Sequence, residues 1–436
     1  MATIETPKLT AIRGMLPWVS DAAWTQFKEY APTLLTELAV MISQILAYKL
    51  AAHFLGRQGF SEYSLSRRTV TLIIPLVVIG LTVGLPRYLG FSNSRNDHQR
   101  ANQYYGATLL LVGGTSLLCV LLINSFANTF AYLFFGDPSY GFLAFPLSVM
   151  ILGLSLHTIV CSYYRGIMQL NRANLIQIVN LGIVPIAAFF LLGGSVRGVL
   201  LTLGLAWGAV ACLGLVLTPF ASISGTNLQV TKEILRYGIQ RVPGDFIFMA
   251  LFALPSTFTA HLSGVQSAGF VAFGMTVLST IAAVFSPLGL VLLPKATGML
   301  AGGSRRELRK HMGFILRGTI AASVLISLAV WAWIPNLIQL YLGQDFDQIV
   351  RIVRILIFGA IPLSVYLVLR TLVDAYHEYA VTGAILLGSF ATFLIGCYLG
   401  KRLHLGTNAI LISLVSALLL QAALSSFECR RILRDR

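Results

Sequence analysis

Charge is what this chain has least of. Lys, Arg, Asp and Glu make up 11% of its 436 residues, where a soluble domain carries roughly 25%. Hydrophobic residues make up 56% and the mean hydropathy is +0.80. No soluble fold hides that much apolar surface behind so little charge, so the chain reads as a polytopic membrane protein. Cysteine is scarce as well. Cys119, Cys161, Cys212, Cys397 and Cys429 lack metal-like spacing, which excludes a zinc site and a disulfide framework. There is no Walker A pattern, Gly-rich phosphate loop or HExxH, so nothing points to ATP hydrolysis, metal catalysis or a cofactor. Alternating strands are missing too. Runs such as GAVACLGLVLTPF are apolar on every side, unlike the strands of a membrane β-barrel.

What is present is helical. A crossing takes roughly 20 apolar residues, and twelve candidates occur, at about 33–55, 68–90, 104–126, 142–164, 174–194, 197–219, 240–260, 267–292, 313–335, 351–371, 380–400 and 407–427. The expected fold is therefore all-α, with about twelve transmembrane helices. Residues 1–30 lack the apolar core and cleavage site of a signal peptide. PWVSDAAWTQFKEY (17–30) reads as an interfacial segment, with Trp18, Trp24 and Tyr30 suited to the headgroup layer.

The basic excess, 31 Lys and Arg against 16 acidic residues, is explained by topology. With twelve spans, 22 basic residues fall on the side of the N-terminus and 8 on the other, with Lys49 inside the first span. Arg67 and Arg68 are among the 8. The positive-inside rule then puts both termini in the cytoplasm. GGSRRELRKH (302–311) is a topology anchor that meets anionic lipid rather than a nucleic-acid patch.

One connector is written twice. HFLGRQ (53–58) and HLSGVQ (261–266) share His-x-x-Gly-x-Gln, 208 positions apart (261 − 53). In register, His53, Gly56, Gln58, Ile73, Val83, Leu85 and Pro86 meet His261, Gly264, Gln266, Ile281, Val291, Leu293 and Pro294, and Arg87 meets Lys295. RGIMQLNR (165–172) is a weaker echo of RTLVDAYH (370–377). Six spans lie on each side of the loop near 220–232. Two six-helix lobes, 1–220 and 221–436, thus begin on the same side of the membrane and are related by a pseudo-two-fold along its normal. Repeated lobes with a path between them are a common transporter architecture, although duplication also occurs for folding alone. Gly56 and Gly264 let the chain turn sharply, while His53, His261, Gln58 and Gln266 suit helix ends or the interface.

Ionisable groups inside the spans mark candidate sites, since each needs a cavity or a partner. Glu37, Met41, Gln44 and Tyr48 share one face of the first helix. Lys49 lies off that stripe, and both snorkelling and cavity lining remain open for it. In QRVPGDF, Arg241 and Asp245 are four apart, at helix spacing for an ion pair, with Pro243 and Gly244 interrupting the helix between them. The alternative is a cationic contact for a diphosphate beside a titratable carboxylate. Gln177 and Asn180, with Arg165 and Arg370, complete a polar cavity or, in the arginines' case, anchor topology. Substrate-binding candidates are accordingly Arg241, Lys49, Gln44, Asn180, Arg165 and Arg370. Glu37 and Asp245 are the ion-coupling candidates.

LGRQGFSEYSL and IGLTVGLPRYLG, carrying Leu55, Gly56, Gly59, Phe60, Tyr63, Gly84, Leu85 and Arg87, resemble the first span pair of Wzx-type polysaccharide flippases of the MATE-like (MOP) exporter superfamily. Tyr237, Gly238 and Pro243 resemble that family's seventh-span entry, with a longer gap before the proline. Leu342, Gly343, Phe346 and Leu356 resemble its ninth-loop and tenth-span pattern. The resemblance implies alternating access by two rocking lobes that move an isoprenoid-diphosphate-linked oligosaccharide from the inner to the outer leaflet, for surface polysaccharide such as O-antigen. It implies the cytoplasmic (inner) membrane, a monomeric transport unit, membrane lipids and polysaccharide assembly proteins as partners, H+ or Na+ as coupling ion, and no enzyme activity. A MATE-type drug antiporter is the nearest alternative, and a membrane polysaccharide polymerase or ligase a more distant one.

Overall fold

The structure, a computed structural model, describes residues 21–218, 225–286, 288, 292, 299, 305–376 and 381–434, with backbone alone for 21–30 and 375. Among the described residues every regular element is a helix. Ten stretches are long and apolar enough to cross a membrane. Two of them, Ala31–Val78 and Leu228–Ala283, hold two crossings each, which makes twelve. The protein is an integral membrane protein.

The first long stretch divides at Gly56 into α1 (21–55) and α2 (57–78). Gly56 has φ 63° and ψ −169°, a conformation that only glycine adopts without strain. Tyr48, eight residues before it, packs edge-on against Tyr63, seven residues after it, with ring centroids 5.8 Å apart. A straight helix would hold them about 22 Å apart, so the chain reverses at one residue. The second long stretch divides at Gly264 (φ 80°, ψ 169°) into α10 (228–263) and α11 (265–283). The repeated connector of the sequence is thus a repeated backbone conformation. Its histidines differ in role: His261 Nε2 lies 2.9 Å from the Leu133 carbonyl, while His53 packs against Phe54.

Ile79 and Gly80 both have positive φ and bend α2 into α3 (Leu81–Ser94). The third and fourth crossings are α4 (His98–Ser125) and α6 (Ala144–Gly166), joined by the short α5 (Ala127–Phe135). The fifth is α7 (Leu170–Gln177), a π-helical turn at Ile178–Ile183 and α8 (Val184–Leu192); the sixth is α9 (Val196–Val216). The second lobe continues with α12 (Arg305–Tyr341), α13 (Gln348–Leu356) running into α14 (Ala360–Tyr376), α15 (Val381–Arg402) and α16 (Thr407–Ile432). Leu121, Phe190, Leu191, Leu213 and Val216 are exposed, as lipid-facing side chains of helices with internally satisfied backbones must be.

The lobes meet along α2 and α11. A Cβ on Gly269 would fall 2.2 Å from Ser61 Cα, and the Ser61 hydroxyl donates to the Gln266 carbonyl (3.1 Å). Phe60, Phe270 and Phe346 cluster there, with centroids 5.0–6.5 Å apart. The bundle is therefore closed at the connector end. At the end bearing the termini, the bend at Ile79–Gly80 receives α10, where a Cβ on Gly238 would fall 2.2 Å from the Ile79 carbonyl oxygen.

Several expectations change. The second crossing starts not at 68 but at 57, because helix resumes directly after the Gly56 turn, and it ends at Val78 before the bend into α3. Pro243 and Gly244 do not interrupt α10, whose non-helical residue is Gly264. A proline costs one backbone hydrogen bond, and the rest of the helix holds its path. The side chains of 17–30, the lobe boundary at 220–221, and Val291, Leu293, Pro294 and Lys295 of the repeat lie outside the described residues.

Candidate functional site

A polar cavity of about 280 Å³ lies between the lobes, lined by Met41, Gln44 and Tyr48 of α1, Arg67, Arg68 and Thr71 of α2, and Thr276, Ser279, Thr280 and Ala283 of α11. The Gly56 reversal builds it. Gln44 is twelve residues before the turn and Arg67 eleven after, so the two meet side by side: Arg67 Nη2 donates to Gln44 Oε1 (2.5 Å). Arg67 Nη1 donates to the Tyr63 hydroxyl (3.0 Å), and Gln44 Nε2 donates to the Leu181 carbonyl (2.7 Å). Arg68 points across the lobe interface. Its Nη2 donates to Thr276 Oγ1 (2.6 Å), and Nε and Nη2 approach the Ala272 carbonyl (3.3 Å each). Thr276 in turn donates to the Tyr48 hydroxyl (3.2 Å).

Depth follows from helix geometry. Eleven or twelve residues beyond Gly56 is about 17 Å of helix, roughly half of a 30 Å hydrocarbon layer. No carboxylate pairs with Arg67 or Arg68 among the described residues; their partners are neutral oxygens. Two adjacent guanidiniums with only neutral partners give this part of the cavity wall a positive charge.

Placing the start of the second span at 68 put both arginines outside the membrane and so missed them. A signal was available in the connector itself. If Gly56 turns at the membrane surface, the next crossing starts at 57, and an Arg pair at 67–68 falls in its middle.

The residues singled out from sequence do not converge on one place. Gln44 lines the interlobe cavity, but Lys49 is exposed outside its lining. Within the first lobe, Arg165 reaches Glu37 (3.6 Å) and donates to Gln177 Oε1 (2.6 Å). Asn180, placed by the π-helical turn, is fully buried. Its side-chain amide nitrogen sits 3.0 Å from His157 Nδ1, and Trp207 Nε1 donates to its main-chain carbonyl (2.6 Å). His157, also buried, escaped the sequence reading. In the second lobe, Arg370 pairs with Asp374 (3.2 Å) and lies over the Phe248 ring. Asp245 lies in the combined field of Arg241 and Arg370. The expected Arg241–Asp245 ion pair does not form among the described residues, and Arg241 Nε is buried without a hydrogen-bond partner. The i, i+4 spacing supplies proximity without an ion pair within 4 Å, and the Arg241 Cβ packs against the bend at Gly80.

The chain is similar to known proteins in sequence and in fold. A stretch of 153 residues is 26% identical to the stage V sporulation protein B of Bacillus subtilis (strain 168), covering 34% of this chain and 29% of that relative. The fold matches that of a multidrug resistance MATE family transporter of the MOP superfamily. In its inward-facing conformation the TM-score is 0.75 at 15% identity, over 90% of this chain and 94% of the other. In its outward-facing conformation the TM-score is 0.64 at 15% identity, over 98% of each. A MOP superfamily transporter from Pyrococcus furiosus, described as having a binding pocket of reverse polarity, matches with a TM-score of 0.64 at 14% identity, over 100% of both chains. The family described as polysaccharide biosynthesis protein matches residues 28–298. The chain belongs to that polysaccharide biosynthesis family, and it is built on the two-lobed MATE-like fold of the MOP superfamily.

Proposed function

We propose that the chain moves an isoprenoid-diphosphate-linked oligosaccharide from the inner to the outer leaflet of the cytoplasmic membrane by alternating access. Both termini are cytoplasmic in this reading. The observation that carries it is the Arg67–Arg68 pair, uncompensated and facing a cavity between the lobes. A diphosphate supplies the missing negative charge, and guanidinium forks suit its oxygens. A cationic drug would be repelled by the same pair in a low-dielectric cavity. The lobes touch at both ends, along α2 and α11 at the connector end and at Gly80–Gly238 at the other, so cargo entry in this reading requires them to rock apart. Glu37 and Asp245 each lie near arginines and are the groups through which H+ or Na+ would couple.

The test is deletion of the gene in its host, followed by lipid extraction and drug-sensitivity measurement. Isoprenyl-diphosphate glycan should accumulate while surface polymer is lost. Normal surface glycan with reduced drug tolerance would replace this reading with a drug antiporter.

A further inference from the structure

We infer that the cavity at the end bearing the termini is a second anion site, one that takes a lipid-borne phosphate at headgroup depth, with Glu233 as its built-in competitor. The cavity is about 730 Å³ and lies where α3 and the start of the third crossing face α10. Three arginines ring it. Arg100 is held by Glu233, with Nη2 3.2 Å from Oε2, and the same carboxylate oxygen accepts from the Tyr104 hydroxyl (2.8 Å). Arg87 and Arg95 have no carboxylate partner among the described residues. Arg87 lies over the Tyr237 ring (5.2 Å) and Arg95 over Phe91 (4.1 Å). Asp97 also lines the cavity, where its carboxylate caps α4 by accepting the Arg100 backbone N–H (3.0 Å), so three arginines face two carboxylates and the lining stays net positive.

Depth selects the occupant. The crossing helix α2 runs 22 residues from the Gly56 turn to Val78, about 33 Å, which spans the roughly 30 Å hydrocarbon layer. Arg87 lies beyond the Ile79–Gly80 bend on α3, at the depth of lipid phosphates. Tyr88, Tyr104 and Tyr237 wall the cavity, with Tyr88 4.7 Å from Tyr104 and 5.7 Å from Tyr237. Such amphipathic rings belong at that layer. A phosphate among Arg87, Arg95 and Arg100 takes the place of the Glu233 carboxylate. Glu233 belongs to α10 of the second lobe and Arg100 to α4 of the first, so occupancy also loosens a tie between the lobes. This site is separate from the central arginines, and its test does not depend on transport.

The full chain in detergent is titrated with a C15 isoprenyl diphosphate or with phosphatidylglycerol, and bound lipid is counted by native mass spectrometry. Phosphatidylcholine and inorganic pyrophosphate serve as controls. The double substitution Arg87→Gln/Arg95→Gln should weaken binding of an anionic lipid tenfold or more. Glu233→Gln should strengthen it several-fold, a sign that a merely structural carboxylate does not give. Arg67→Gln/Arg68→Gln should leave this site's occupancy intact, which separates its failure from failure of the central-cavity reading. Binding of the isoprenyl diphosphate alone identifies the cargo as occupant, and binding of both lipids identifies anionic headgroups in general. Equal binding of phosphatidylcholine, equal binding of pyrophosphate, or a Glu233→Gln variant that binds no better would overturn the inference. Thermal midpoints of each variant exclude unfolding as the cause.

Discussion

Arg68→Met removes one charge while keeping a long apolar side chain. On the folding side two effects oppose. The substitution loses the hydrogen bonds to Thr276 and the Ala272 carbonyl, each worth about 1.5–3 kcal/mol when one partner is charged. It also removes a mid-membrane arginine that costs about 2.5–3.5 kcal/mol on insertion scales. Two bonds lost, about 3–6 kcal/mol, against about 2.5–3.5 kcal/mol gained leave a balance from about zero to 3.5 kcal/mol destabilising, so the protein should accumulate and melt at or moderately below the wild type. On the transport side nothing offsets the loss. A guanidinium contact with a diphosphate is worth about 1.5–3 kcal/mol, equivalent to a roughly 10- to 100-fold slower flip at 1.4 kcal/mol per tenfold. Arg68→Lys keeps the charge without the fork and should fall between. The assay is a proteoliposome carrying an isoprenyl-diphosphate glycan, with arrival in the far leaflet read by an impermeant sugar-modifying reagent. A rate within twofold of wild type would refute the cavity reading. So would a rate loss that tracks a falling melting temperature, which would make Arg68 a strut between lobes.

Other substitutions separate geometry from chemistry. Gly56→Ala and Gly264→Ala should each destabilise by about 1–3 kcal/mol. Nothing lies within 4 Å of either position's added Cβ, so the cost comes from positive φ alone, and thermal unfolding in detergent measures it. Gly269→Leu forces α11 away from Ser61 and should open the connector end, raising the reactivity of an engineered cysteine at position 270 toward an impermeant thiol reagent; unchanged reactivity would mean that the seal lies elsewhere. Asn180→Leu leaves His157 buried without its amide neighbour and should cost about 1–3 kcal/mol, read as a lower melting temperature. Glu37→Gln breaks a half-exposed pair with Arg165 and should cost under about 1 kcal/mol. If Glu37 couples the ion, the pH or Na+ dependence of transport should disappear with it, and an unaltered dependence would assign it a structural role.

The architecture was legible because bilayer physics leaves few choices. Apolar runs of known length, the repeated His-x-x-Gly-x-Gln and an even number of spans were enough to anticipate two six-helix lobes. The interlobe cavity was harder to read, for an identifiable reason. A hydropathy window rejects charged residues, so it pushed the second span past Arg67 and Arg68 and hid the two residues that matter most to the proposed chemistry. Spacing along one helix likewise brought Arg241 near Asp245 but could not say that the arginine packs toward Gly80 of another lobe. His157 of α6 and Asn180 of the π-helical turn meet 23 residues apart in sequence, which no side-chain periodicity announces. Lys49 shows the converse error: a charge inside an apolar run need only lie near one end of it to escape.

The two central arginines also have unequal histories during synthesis. Arg67 finds Gln44 and Tyr63 within its own hairpin, so it is provided for once the first two helices have entered the membrane. Arg68 finds Ala272 and Thr276, which lie 204 and 208 residues downstream. At roughly 5–20 residues per second, the ribosome needs about 10–40 s to make them. During that interval a guanidinium sits near mid-bilayer with no permanent partner. The first lobe is thus made with an outstanding requirement that only the second can meet.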